Sequence, residues 1–219
     1  MLEIACFNAE SAIAASKAGA DRIELCADYA AGGVTPLPST LHQVRKETAT
    51  PINVMIRPRG GDFVYSDEEF ERMKTDIDSY KGSASGFVFG ILDERNRVDI
   101  QRNGELVMLA TPLPCTFHRA FDQTMKKSEA AEQLVECGFK AILTSGGLFD
   151  AVAGADKVGE LQKDWGSKIT IILGGGVRSS NISVLREKTR VEWYHSAAIT
   201  MPGETVDPVE VEKLTTRLK

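Results

Sequence analysis

Eight short apolar runs, each followed by a stretch of helical character, recur along this chain, and no other feature restricts its fold so tightly. The runs are Leu2–Cys6, Arg22–Leu25, Ile52–Ile56, Phe87–Leu92, Cys115–His118, Ala141–Thr144, Thr170–Leu173 and Val191–His195. Each has the length of a strand buried on both faces and is bounded by Gly, Pro or polar residues. Helices are expected between them at 9–18, 38–48, 66–80, 101–110, 127–137, 151–164 and 179–188, with a last one at about 208–218. Asn8, Ser66, Ser128 and Ser179 stand where helix N-caps belong, and Ser66 with Glu69 spells a capping box. Gly19 and Gly138 read as left-handed helix stops, and Pro208 suits a first helical turn. Eight strand–helix units in 219 residues predict one closed (β/α)₈ TIM barrel over residues 1–219. A doubly wound open sheet would use fewer units, and no GxGxxG follows the first run.

Barrels of this kind gather function at the C-terminal ends of their strands, which turns the sequence into a site map. The third run ends in Arg57-Pro58-Arg59-Gly60-Gly61-Asp62, two guanidiniums beside flexible glycines, so Arg57 and Arg59 read as an anion-facing pair. Strand alternation points Glu24 and Cys26, Met55 and Arg57, and Thr116 and His118 into the barrel. A carboxylate there needs a partner, so a cluster of Glu3, Glu24 and Arg57 is expected, either structural or catalytic. His118, with Arg119 and Asp122 close behind, reads either as a general base oriented by Asp122 or as a histidine bonding its own loop backbone. His195 has a similar placement. Ser145-Gly146-Gly147 and Gly174-Gly175-Gly176 are either tight turns or amide cradles for an anion, with Arg119, Ser145, Gly146, Gly175 and Gly176 as candidate contacts.

Charge and cysteine use narrow the classes. The net charge is −5 with no basic stripe, which argues against nucleic acid, and no apolar run is long enough to span a membrane. With Glu3 interrupting the first residues and no apolar run of leader type after it, no signal peptide is expected. Cys6, Cys26, Cys115 and Cys137 lack CxxC spacing and suit reduced thiols in a cytoplasmic protein. Zinc or hard-cation ligand sets are not grouped in the sequence. Cys6 and Cys26 end neighbouring strands, so they are either two separate buried thiols or a soft Cu(I) pair. No organic-cofactor motif is present.

The segments Gly19 to Cys26, Gly32-Gly33-Val34-Thr35-Pro36, Met55 to Phe63, Thr116 to Asp122, Leu143 to Gly146 and Gly174 to Val177 together resemble the CutC copper homeostasis family over roughly residues 1–198. The resemblance implies a TIM barrel in the cytoplasm, a homo-oligomer (dimer or tetramer), and copper tolerance through Cu(I) binding. Cys26 matches the family's second cysteine position. The first falls on Ala5, with Cys6 one residue later, and the tail 198–219 departs from the family pattern. A barrel enzyme of lyase or isomerase type remains the alternative. It would act on a small anionic, phosphorylated or carboxylated metabolite, with Glu24 or His118 moving a proton.

Overall fold

The structure is a computed structural model that describes all 219 residues. Eight parallel strands close into a barrel in chain order: β1 Leu2–Cys6, β2 Arg22–Leu25, β3 Ile52–Met55, β4 Gly86–Phe89, β5 Cys115–Phe117, β6 Ala141–Thr144, β7 Thr170–Leu173 and β8 Trp193–Ser196. Eight helices ring it: α1 Ala9–Lys17, α2 Pro38–Glu47, α3 Asp67–Tyr80, α4 Ile100–Ala110, α5 Lys127–Cys137, α6 Ala155–Trp165, α7 Ile182–Thr189 and α8 Pro208–Leu218. This is the expected (β/α)₈ barrel, with the tail supplying the last helix.

The alternation that the sequence implies is carried through. Ile4, Ile23, Leu25, Val54, Phe87, Phe89, Phe117 and Ile142 face the helices and form the main core with them. Inside the barrel lie two small apolar groups, Cys26, Met55 and Val88 near one wall and Ala141, Leu143 and Ile172 near the other. Between them the interior is polar.

Local signals hold in part. Asn8 accepts from the Ser11 amide, Ser66 and Glu69 form the capping box, and Gly138 ends α5 at φ 93°. Ser128 and Ser179 do not cap. Helix α5 starts earlier, at Lys127, so Ser128 lies within its first turn. Helix α7 starts later, behind Asn181, because Ser179 is held elsewhere: Glu210 on α8 accepts from both its amide (2.6 Å) and its hydroxyl (2.7 Å). That contact and the burial of Val206, Val211 and Leu214 dock the tail against the barrel.

Candidate functional site at the barrel mouth

A cavity of about 330 Å³ opens at the C-terminal ends of the strands. Glu24, Cys26, Met55, Arg57, His118, Arg119, Gly175, Gly176, Arg178 and His195 line it.

Its floor is an ionic cluster built by strand register. Closure of the barrel sets Glu3 level with Arg22 on β2 and with His195 on β8. Arg22 Nε donates to Glu3 at 2.5 Å while its guanidinium stacks 3.8 Å over Trp193. His195 Nδ1 lies 2.8 Å from the other Glu3 oxygen and 3.9 Å from Glu24. Burial alone would raise the pKa of Glu3, but the hydrogen bond from His195 and the Arg22 charge outweigh it and hold Glu3 below the usual carboxylate range. Burial and the neighbouring Glu3 charge push Glu24 up instead. His195 is raised: burial opposes its charge, and the two carboxylates overcome that. Glu24 Oε1 accepts from the Cys26 thiol at 3.4 Å, and its Oε2 is buried without a partner.

Arg57 does not join this cluster. Its guanidinium instead donates to the carbonyls of Ala31, Gly33 and Gly61 at 2.9–3.1 Å, tying the β2–α2 and β3–α3 loops together. Only 6% of Arg57 is exposed, and its Nε has no partner. Arg59 turns away from the cavity and pairs with Asp62 (2.9 Å) and Glu69 (2.7 Å). The expected Glu3/Glu24/Arg57 grouping is therefore corrected to Glu3/Glu24/His195 with Arg22, because loop carbonyls satisfy Arg57 before any carboxylate reaches it. Closure of the eighth strand on the first was the signal for His195.

His118 and Asp122 also part company. His118 Nδ1 accepts from the Ala120 amide at 3.3 Å, the loop-backbone alternative. Burial, with the Arg57 charge second, drops its pKa to about 3, so the ring is neutral and carries its proton on Nε2, a buried donor without a partner. Asp122 fills the β6 turn: Thr144 Oγ1 (2.5 Å), the Ser145 amide and hydroxyl, and the Gly147 amide all donate to it, and Arg119 pairs with it at 2.8 Å. The Ser145–Gly146 turn thus cradles an anion that belongs to the chain. Gly175 and Gly176, by contrast, line the cavity.

The cysteines occupy different layers. Cys26 lies on the cavity wall against Met55. Cys6 pairs level with Leu25 in an unbulged ladder and packs outward with Leu2 and Ile4. Burial, reinforced by the Glu24 charge, pushes both thiols well above their ordinary pKa.

Known proteins match this chain along nearly its full length. A sequence model of the CutC family matches residues 1–200. A CutC family protein of Edwardsiella ictaluri is 44% identical over 92% of this chain and 80% of its own. The human copper homeostasis protein cutC homolog is 40% identical over 90% of this chain and 73% of its own. The crystal structure of the putative copper homeostasis protein CutC from Streptococcus agalactiae superposes with a TM-score of 0.85 at 31% identity, covering 90% of this chain and 98% of that one. With a family match across both halves of the barrel and relatives at this identity, the chain belongs to the CutC family.

Proposed function

We propose that this chain works in copper homeostasis, taking Cu(I) as cargo at the barrel mouth through Cys26. One observation carries the reading: a thiol and a thioether, Cys26 and Met55, pack together on the cavity wall. Thiolate and thioether are the donors Cu(I) prefers. In this reading Met55 stands where a second cysteine was expected, since Cys6 faces the helices. Cu(I) binding displaces the thiol proton, and Glu24, 3.4 Å away and raised in pKa, is placed to receive it. The name of the human relative supports the copper role.

We place the protein in the cytoplasm as a homo-oligomer. All four cysteines are free thiols, which suits a reducing compartment. Phe149, 94% exposed, projects beside the exposed Leu148 and Val152, an apolar knob that a second copy would cover.

Anaerobic titration with Cu(I) against a competing chelator tests the assignment. Wild type is expected to bind one Cu(I), Cys26→Ser none, Met55→Leu more weakly, and Cys6→Ser as wild type. Full stoichiometry in Cys26→Ser overturns it.

A second reading, a barrel enzyme of lyase or isomerase type acting on a small anionic metabolite, is favoured by an observation that copper leaves without use. Arg57 and Arg178 line the cavity with no carboxylate at salt-bridge distance, and two cations beside it repel Cu(I).

A further inference from the structure

We infer that the turn after β7 is an oxoanion subsite built for the phosphate group of a small metabolite, with the amides of Gly175, Gly176 and Val177 and the guanidiniums of Arg119 and Arg178 as its donors. The inference deepens the second reading and is independent of copper.

The first observation is a contrast between two glycine turns on one rim. In the β6 turn the amides are spoken for: Ser145 and Gly147 donate to Asp122, and Gly146 donates to Thr144 Oγ1. In the β7 turn Gly174 donates to the Thr144 carbonyl, and Arg178 donates to Asn181. The three amides between them, Gly175, Gly176 and Val177, make no hydrogen bond within the chain. Gly175 and Gly176 have φ of 97° and 80°, backbone that a residue with a Cβ rarely adopts, so glycine keeps this turn open at the cavity. Gly175 and Gly176 line the cavity and Val177 is buried directly behind them, so these are unpaired donors at and under its rim.

The second observation is the chemistry around them. A Cβ on Gly175 would sit 3.5 Å from the Arg119 guanidinium carbon, so that cation overhangs the turn. Arg119 spends Nε on Asp122 and Nη2 on Ser145, leaving Nη1 free. Arg178 bonds only carbonyls and the Ser196 hydroxyl, through Nη1 and Nη2. Deeper in the same cavity, Arg57 Nε and the Nε2–H of His118 are buried donors without partners, in residues 6% and 4% exposed. Asp150, whose Cβ lies 3.8 Å from a Cβ built on Gly176, accepts from the Ala153 amide through its carboxylate at 2.8 Å. Of the orphan side-chain atoms lining the cavity, only Glu24 Oε2 is an acceptor; the others donate. A wall of this composition is complementary to an anion, and three amides with two guanidiniums match the three terminal oxygens of a phosphate monoester better than the two of a carboxylate.

The test uses inorganic phosphate as the probe on metal-free, ¹⁵N-labelled protein. Amide resonances of Gly175, Gly176 and Val177 are expected to shift saturably with phosphate, and not with acetate or chloride at equal ionic strength. Arg178→Gln should weaken phosphate binding roughly tenfold, the scale of one charge-assisted hydrogen bond, and Arg178→Lys should recover part of it. Arg119→Gln should weaken it separately, which guards against a local misfold in one variant. Static amides, or equal shifts with chloride, overturn the subsite, as does unchanged affinity in both Gln variants. Saturable shifts with acetate equal to those with phosphate overturn the assignment to phosphate. Cys26→Ser is expected to bind phosphate normally, so failure of the copper reading and failure of this one are separately visible.

Discussion

The Asp122 carboxylate accepts from both the backbone amide and the side-chain hydroxyl of Ser145, so the β5 loop supplies the counter-ion for the β6 turn. The pair converts two adjacent loops into one rigid rim segment, with Arg119 closing it from the solvent side.

Asp122→Asn should therefore destabilise the fold by about 2–3 kcal/mol, the scale of losing hydrogen bonds to a charged acceptor. Urea unfolding would measure it. A loss within error of zero would mean that the carboxylate does not hold the turn.

Arg57→Lys removes a planar fork that reaches three carbonyls on two loops. A lysine has one donor centre and cannot span them. A loss of about 2 kcal/mol is expected. Faster amide exchange at residues 31–33 and 60–62 should accompany it, measured by hydrogen–deuterium exchange. Unchanged exchange in both loops contradicts the stapling role.

What the sequence shows of this site and what it hides divide along a physical line. Binary pattern reports which face a side chain takes, so Ile23 and Leu25 outward and Glu24 and Cys26 inward were readable from β2 alone. Pattern says nothing of backbone acceptors, which every residue carries. Pattern accordingly matches Arg57 to carboxylates, whereas its partners are the carbonyls of Ala31, Gly33 and Gly61. Ser179 had the look of a cap, but the competing acceptor, Glu210, lies on another helix. His195 was in view as a strand-end histidine; its partnership with Glu3 follows only once the last strand is laid beside the first.

The floor cluster gives stability a pH signature. The raised pKa of His195 means that the folded chain holds the imidazole proton more tightly than the unfolded chain does. That contribution is complete below the unfolded value, about pH 6.5, and is lost as pH rises through the raised folded value. Glu24, also raised, acts with the same sign in a more acidic range, whereas the lowered Glu3 contributes above its unfolded value and is lost in acid. Urea midpoints of wild type should fall as pH climbs from neutral into the alkaline range, and His195→Gln should flatten that slope. Parallel curves for the two proteins would refute the linkage.

Thiol reactivity should follow depth. Cys6 and Cys26 are buried with pKa well above normal, and Cys115 is pushed up to about 12 by burial, whereas Cys137 is only partly covered. Brief iodoacetamide treatment of native protein should label Cys137 first, read by peptide mass spectrometry. Preferential labelling of Cys26 would contradict its burial.

Glu210→Ala should cost about 1–3 kcal/mol, because it strips the Ser179 amide and hydroxyl of their acceptor and loosens α8. Unfolding monitored by circular dichroism would measure it, and an unaltered midpoint would show that α8 is held by its apolar face alone.

Glu3 and His195 stand 192 positions apart in the chain, and that interval is also an order of events during synthesis. Translation adds on the order of ten residues per second, so the amino-terminal carboxylate is made well before the imidazole that completes its surroundings. Without β8, β1 would be an edge of the sheet, and of the two partners of Glu3 only Arg22 precedes that strand in the chain. An inward-pointing charge on an edge strand is one of the devices that keep such an edge from pairing with a wrong neighbour, so Glu3 serves specificity as well as the finished floor.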